Sequence, residues 1–339
     1  MNIKVKNNVY WVGKIDWELR RFHGNEYSTH HGSSYNSYLI REEKNVLIET
    51  VWMPFAKEFV DNLAKEIDLN KIDYIITNHA EIDHSGALPE LMKYIPDTPI
   101  YCTSNGIKSI KGHYHEDWNF NPVKTGDKLP LGNGKELIFV EMKMLHWPDS
   151  MACYLTEDNI PIDIIATSHG VIWRKNPTQI VEKYLSWANA YQENQITIIY
   201  DTMWDGTKIM AENIAKGIHE ADEKINVKLF NLSKSDKNDV ITEIFKSKIM
   251  LIGSPTINHG ILTSVAGIIE EIKGLGLKNK KAAAFGCYGW SGESIKILTE
   301  QLDKSGFSII NEGIRVMWNP DKESLERCLD FGKKIAVIK

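Results

Sequence analysis

Asn78-His79-Ala80-Glu81-Ile82-Asp83-His84-Ser85-Gly86 is the stretch whose reading decides the fold. The apolar run before it, Ile72-Asp73-Tyr74-Ile75-Ile76-Thr77, reads as a buried strand. Ala87-Leu88-Pro89-Glu90-Leu91-Met92 after it reads as a helix start. His79, Glu81, Asp83 and His84 thus fall on one loop at a strand end. Two imidazoles and two carboxylates form a nitrogen and oxygen donor set suited to Zn, Fe or Mn. Their spacing lets them point at one centre or at two adjacent ones. A polar loop whose histidines only cap the next helix is the plainer alternative, but solvated loops rarely gather so many ligands beside a strand end.

Bulk properties narrow the setting. A chain of 339 residues exceeds what one hydrophobic core usually serves, so two domains are expected. The net charge of −5 and the dispersed Lys and Arg residues argue against a nucleic-acid partner. No apolar run approaches membrane-span length, and Met1-Asn2-Ile3-Lys4-Val5-Lys6 lacks the apolar core of a signal peptide. Cys102, Cys153, Cys287 and Cys328 show no paired spacing, which fits a reduced, cytoplasmic protein.

Around the ligand loop, residues 1 to about 60 alternate short β-like runs with turns: Val9–Gly13, Tyr35–Ile40 and Asn45–Thr50. Pro54–Glu66 has helical apolar spacing at Phe55, Phe59, Val60 and Leu63. Pro99–Thr103 and Glu136–Met142 read as strands, the second entered through the turn Gly132-Asn133-Gly134. His146 lies just beyond that second strand, where a fifth ligand would be delivered. Ile164-Ile165-Ala166-Thr167-Ser168-His169 repeats the arrangement for a sixth. A single histidine is more often structural than ligating, but three strand-end sites in one chain favour a metal. Mixed strands and helices to about residue 190 fit a layered sheet-and-helix sandwich.

A linking helix, Pro177–Asn194, leads into regular strand and helix alternation. The strands are Ile196–Tyr200, Val227–Phe230, Ile249–Gly253 and Lys281–Gly286, with helices at Lys208–Asp222 and Leu262–Lys273. This pattern predicts a doubly wound parallel sheet. Open sheets of this kind bind ligands at loops after strand ends, and three such loops stand out. The first carries Thr202, Met203, Trp204, Asp205, Gly206 and Thr207 into a helix, where hydroxyls and amides can cradle a phosphate. No GxxxxGK lysine is present, which argues against a nucleoside triphosphate. The second carries Ser254, Pro255, Thr256, Ile257 and Asn258, and the third Gly286, Tyr288, Gly289, Trp290 and Gly292. Trp204, Tyr288 and Trp290 can stack on a planar ring that the glycines let approach. Each loop alone is a weak signal, and aromatics are more often packing residues.

The ligand loop resembles that of the metallo-β-lactamase superfamily, His-x-His-x-Asp-His, with Glu81 in place of the second histidine. A carboxylate there shifts the expectation from zinc hydrolysis toward iron redox chemistry. The three later loops resemble the FMN-binding loops of flavodoxins. Together the halves resemble the flavodiiron proteins, as do the phrases Leu145–Met151, Ser168–Arg174 and Tyr200–Trp204. The resemblance implies an αββα metallo-β-lactamase-like sandwich over residues 1–193 and a flavodoxin-like, FMN-binding sheet over 194–339. It implies reduction of dioxygen to water or of nitric oxide to nitrous oxide at a non-haem di-iron centre, with electrons arriving through FMN. By matching motif, His79, Glu81 and His146 would hold the iron nearer the flavin, and Asp83, His84 and His169 the second. Phe22-His23-Gly24 matches a phrase that places a histidine, here His23, near the substrate pocket. Rubredoxin or reduced coenzyme F420 would be the electron donor, and a head-to-tail homodimer or a dimer of dimers the assembly. With no Cys-x-x-Cys pair, no rubredoxin-type module is expected within this chain.

The chain departs from the family at one place. The family has a further ligand, an aspartate bridging both metals, on a return strand followed by a cover loop and several dozen residues. Here Met151–Leu155 runs almost directly into Ile160-Pro161-Ile162-Asp163 and His169, so the domain is shortened near residues 159–161. The family interval counted from His146 lands on Ile165, which cannot ligate, and Asp163 matches a different family phrase. An FMN electron carrier with a degenerate, metal-poor lactamase-like half is therefore the alternative function. A zinc hydrolase comes third, disfavoured by Glu81 and by the flavodoxin half.

Overall fold

The computed structural model describes residues 3–156, 162–277 and 279–338. The chain divides into two compact units, Met1–Gln179 and Ile180–Lys339.

The first unit is built on a seven-stranded sheet in the order Ile3–Lys6, Val9–Trp11, Tyr38–Ile40, Asn45–Ile48, Ile72–Ile76, Ile100–Thr103, Phe120–Val123. Its first four strands are antiparallel neighbours and the last four run parallel. A three-stranded antiparallel sheet follows, Lys128–Gly132, Lys135–Glu141 and Met151–Leu155, its first two strands joined by the expected turn at Gly132-Asn133-Gly134. Strand alternation sorts the core into two layers. Leu39, Leu47 and Ile75 pack against the helix Ala56–Glu66 through Phe59, Val60 and Leu63. Tyr38, Ile40, Val46, Ile48 and Ile76 face the other way, onto Leu131, Leu137 and Phe139 of the smaller sheet. Each such side chain, fully buried, contributes about 1.5–3 kcal/mol of hydrophobic stabilisation before entropy is counted.

The expected strand Tyr35–Ile40 is broken in two, Ser33–Tyr35 and Tyr38–Ile40. Asn36 sits at the break: its backbone N–H donates to the Ser168 carbonyl (2.9 Å) and its side-chain amide to the carbonyls of Thr167 (2.9 Å) and Gly170 (3.1 Å), while its Oδ1 accepts from Trp11 Nε1 (2.9 Å). No strand forms at Ile164–Ala166, where only Ile165 pairs, with Trp173.

The second unit has a parallel sheet in the order Asn226–Asn231, Glu193–Tyr200, Ser247–Gly253, Lys281–Tyr288, with Ser308–Ile309 and Ile314–Met317 both on the outer edge of the last. This is the 2-1-3-4-5 order of doubly wound folds. Ile198, Leu251 and Phe285 point to one face, under the helices Gly206–Ala221 and Lys322–Ala336. Ile199, Ile252 and Ala284 point to the other, under Lys237–Lys246, Thr263–Leu275 and Ser294–Lys304. The linking helix is shorter than expected, Thr178–Ala188, and none of its residues is buried. Among the described residues no helix is long and apolar enough to cross a membrane.

Candidate metal centre and flavin site

The strand Ile72–Ile76 ends under the ligand loop, and two backbone amides of that loop are held by buried carboxylates. Asn78 N–H donates to Glu49 Oε1, and Ala80 N–H donates to Asp149 Oδ2 at 2.8 Å. Asp83 and His84 sit on a single helical turn, Ile82–Ser85, rather than on open loop. The Ser85 hydroxyl ties that turn back to the Ala80 carbonyl (2.7 Å). Gly86 lets it approach the backbone of Met53, where a Cβ would lie 2.4 Å from the Met53 nitrogen.

All six expected ligands converge, in two groups whose donor atoms lie within 4.8 Å of one another: His79, Glu81 and His146, then Asp83, His84 and His169. Glu81 Oε2 lies 3.0 Å from His79 Nε2 and 3.2 Å from His146 Nε2. Asp83 Oδ2 lies 3.1 Å from His169 Nε2 and 3.4 Å from His84 Nε2. The rings of His79 and His84 are 5.6 Å apart, so the two groups are neighbours. His169 arrives from the loop that Asn36 grips, and its Nδ1 donates to the Ser34 carbonyl at 2.6 Å. His23, on the turn after Arg21–Phe22, places Nε2 3.2 Å from Glu81 Oε1.

The electrostatics are those of a site waiting for cations. Burial works to raise Glu81, but its hydrogen bond with His79 outweighs this and holds it below the usual carboxylate range. Burial likewise opposes ionisation of Asp83, and the His169 imidazole beside its carboxylate prevails, holding it below the usual range. Burial resists charge on His79, yet the Asp149 and Glu81 carboxylates beside it raise it to about 9. His84 is pushed down to about 4 by burial. Loading a metal therefore displaces the His79 proton, since only neutral imidazole ligates. Both oxygens of buried Asp83 lack a hydrogen-bond partner, an expensive arrangement unless a cation supplies one. Each group is a pair of histidines with one carboxylate, the donor set of non-haem iron centres that keep positions open for a substrate. The residues present fit two iron ions.

In the second unit the first loop leads into the helix Gly206–Ala221, whose N-cap, Asp205, gives it no side-chain cap. Its first amides are thus left for an anion. The Thr202 hydroxyl beside them is buried without a partner. The Asp201 carboxylate pins the loop, accepting hydrogen bonds from the Thr202 amide and the Ser233 and Ser264 hydroxyls. Trp204 and Trp290 are 85% and 84% exposed, open faces for a planar ring. These features fit FMN: a phosphate on the helix start and an isoalloxazine among the aromatics. Some expected residues serve the loops themselves. The Ser254 hydroxyl is buried and bonded to the Pro255 carbonyl and the Leu262 amide. A Cβ on Gly286 would lie 2.0 Å from the Ser254 carbonyl oxygen, so this glycine serves close packing of strand and loop. Thr256 accepts from the Ser294 amide and donates to its hydroxyl.

Comparisons with known proteins agree across both units. The model of the ODP family of β-lactamases matches residues 34–189, and the flavodoxin model matches 198–332. Anaerobic nitric oxide reductase flavorubredoxins of Escherichia coli and Shigella dysenteriae are 50% identical over 394 aligned positions, covering 99% of this chain and 82% of each relative. The rubredoxin oxygen:oxidoreductase structure from Desulfovibrio gigas superposes with a TM-score of 0.92 at 32% identity, covering 99% of this chain and 98% of that one. The Giardia intestinalis flavodiiron protein gives 0.93 at 27% identity, with 99% and 96% covered. The chain belongs to the flavodiiron protein family.

This flavodiiron protein is an FMN- and di-iron-dependent oxidoreductase, with a lactamase-like half followed by a flavodoxin-like half. It is also shorter than its relatives inside the aligned region. The alignment has 394 positions against 339 residues, so at least 55 positions of the relatives face no residue here. The shortening expected near 159–161 lies outside the described residues. Beside it, Met151–Leu155 ends the smaller sheet with one edge unpaired among the described residues. A largely apolar cavity of about 610 Å³ opens there, lined by Tyr38, Ile40, Leu137, Cys153 and Ile164 and floored by Glu49 and Asn78.

Sequence reasoning missed three residues at these sites. Glu49 ends an otherwise apolar strand in a left-handed conformation (φ 61°), and a carboxylate closing such a run was the available signal. Asp149 stood within the Trp-Pro-Asp phrase without a role. Trp318, 60% exposed with φ 57°, follows the outer strand Ile314–Met317, and its ring lies 6.5 Å from that of Trp290.

Proposed function

We propose that this flavodiiron protein reduces dioxygen to water, nitric oxide to nitrous oxide, or both, with electrons delivered through FMN. One observation carries this: two sets of paired histidines and a carboxylate lie side by side in a chain whose other half is a flavodoxin. His79, Glu81 and His146 hold one iron, and Asp83, His84 and His169 the other. When bound, the iron pair supplies the electrons and open positions that split or couple the gas, and FMN supplies a store of reducing equivalents. The protein's part is to fix the donors, exclude competing ligands and deliver protons. His23, bonded to Glu81 at the edge of the first group, is positioned to hand a proton to the pocket. FMN is held by Thr202–Thr207, Ser254–Asn258 and the Gly286–Gly292 loop. The metal-binding domain spans 1–193 and the FMN domain 194–339.

The donor is a rubredoxin-type protein, as the name of the Desulfovibrio gigas neighbour supports, with reduced coenzyme F420 as the other candidate. The assembly is a head-to-tail homodimer, or a dimer of dimers, in the cytoplasm.

A second reading has specific support. Among the described residues no third carboxylate joins the two ligand groups, and Glu81 and Asp83 leave the charge of an iron pair largely uncompensated. With at least 55 aligned positions unfilled, this half is then a metal-poor scaffold and the chain a flavin electron carrier. Iron and FMN content per chain, with oxygen or nitric oxide consumption by the photoreduced protein, decides between them. Two irons with rapid consumption support the reductase. Full flavin, little iron and slow, peroxide-yielding oxygen uptake would overturn it in favour of the carrier.

A further inference from the structure

We propose that Asp149 and Glu49 are a matched pair of positioning residues, one for each iron, that orient the buried ligand histidines His79 and His84 from behind. This rests on the six-ligand reading above. Each histidine turns Nε2 to the carboxylate of its own metal group, Glu81 or Asp83, leaving Nδ1 on the far side. There His79 Nδ1 meets Asp149 Oδ2 at 3.3 Å, and His84 Nδ1 meets Glu49 Oε2 at 4.0 Å. Both carboxylates are enclosed, 1% and 2% exposed, although nothing in the binding of a gas requires them. Neither imidazole Nδ1 has a hydrogen-bond partner, and nor has Glu49 Oε2, so these close approaches are of groups otherwise unsatisfied.

Both carboxylates are themselves fixed, and by the same loop. Asp149 Oδ2 also accepts the Ala80 amide, and the Asp149 carbonyl accepts the Thr103 hydroxyl. Glu49 Oε1 accepts the Asn78 amide, so its second oxygen alone faces His84. The next residue, Thr50, grips His84 from the other end, its amide (2.8 Å) and hydroxyl (2.7 Å) both donating to the His84 carbonyl. The more exposed ligand His169 uses a backbone carbonyl instead. A carboxylate that accepts the Nδ1 proton selects the tautomer whose Nε2 lone pair is free for metal and raises its basicity.

The consequence differs between the two amide variants. Ala80 N–H and His79 Nδ1 share Asp149 Oδ2, so Asp149→Asn keeps an oxygen there and removes the negative charge that raises the basicity of the ring. Glu49→Gln keeps its oxygen on the Asn78 amide and turns its NH₂ to His84 Nδ1, so that ring must accept there and carry its proton on Nε2, the atom that ligates. Anaerobic titration of the full chain with ferrous ion against a colorimetric chelator reads the two affinities. Mössbauer spectra of the ferrous protein show which site has changed, and melting of the unloaded chain reports the fold. Asp149→Asn is expected to weaken one site roughly 10–100-fold and Glu49→Gln the other by a similar factor, each leaving the second spectrum and the melting temperature in place. Two sites of unchanged affinity in both variants overturn the positioning role and leave the ligand reading standing, as does weakening matched by an equal loss of fold. An unaltered chain that takes up no ferrous ion sinks the ligand reading and this inference with it.

Discussion

The two sites of this chain prepare for their cofactors in opposite ways. In the lactamase-like half the donors are wired to one another before any ion arrives, and His79, Asp83 and His84 are buried: Glu81 spans His79 and His146, Asp83 spans His84 and His169, and Asp149 backs His79. In the flavodoxin-like half the broad aromatic faces of Trp204, Trp290 and Trp318 stand open, and only the phosphate end is a built cradle. The contrast follows from what each cofactor is. A bare carboxylate or imidazolium costs several kcal/mol to enclose, so metal donors must neutralise each other through shared protons. An aromatic ring left in water costs little by comparison and is covered when the flavin arrives.

The largest expected effect tests the wired half. Asp83→Ala removes the one carboxylate of the second ligand group and leaves His84 and His169 without an anion between them. Iron bound per chain should fall by half or more, while FMN content stays at the unaltered level. Metal analysis beside flavin absorbance checks this. If iron content survives Asp83→Ala, the second group is not a metal site, and the contrast between the halves disappears.

A smaller effect tests the open half. The Thr202 hydroxyl is buried beside the helix start with nothing to bond. A buried hydroxyl without a partner weakens the empty fold, and gains its bond only when an acceptor docks. Thr202→Val should therefore weaken FMN binding about tenfold, the worth of one good hydrogen bond of about 1–1.5 kcal/mol. It should leave the flavin-free domain as stable as before, or more so. Flavin fluorescence titration and melting of the stripped protein measure the two sides. Unchanged FMN affinity would remove Thr202 from the phosphate cradle.

Most of this architecture was legible in the sequence, because it rests on short-range pattern. Ile249–Gly253 and its neighbours read as parallel core strands since both their faces are buried. That the six candidate ligands converge was legible because each ends or closely follows a run with strong strand character, or, for His169, sits in a phrase with its own motif. What escaped was side-chain traffic between distant segments. Nothing local says that Asn36 will leave its strand to hold the loop of His169, more than 130 positions on. Nothing local says that Glu49 will turn inward under His84. Such choices are made by tertiary partners that outbid a strand's backbone preference. The apolar residues of the linking helix are not core either: Val181, Tyr184 and Leu185 are 46–64% exposed.

The last test asks whether the flavodoxin-like half also hides a charge, as the metal half does. Lys280 is 3% exposed, with Nζ donating to the carbonyls of Phe245 (2.7 Å), Ser247 (2.8 Å) and Tyr191 (3.3 Å) and lying 5.7 Å from the Phe245 ring centre. These partners are neutral, unlike the paired donors around His79, and burial drives its pKa from 10.5 down to about 8. In the unfolded chain the amine keeps its proton up to the ordinary value. Between about 8 and 10.5 the unfolded state thus binds more protons, and stability rises with pH. Below about 8 both states are protonated and the burial penalty is present in full. Lys280→Met abolishes this ionisation. The stability difference, unaltered minus variant, should climb by at most about 1.4 kcal/mol per pH unit through that window and be flat below it. Urea unfolding at constant ionic strength and saturating FMN measures it at each pH. A difference that stays level across the whole range would mean that the three carbonyls hold the ammonium as well as water does, and that neutral dipoles alone suffice where the metal half uses countercharges.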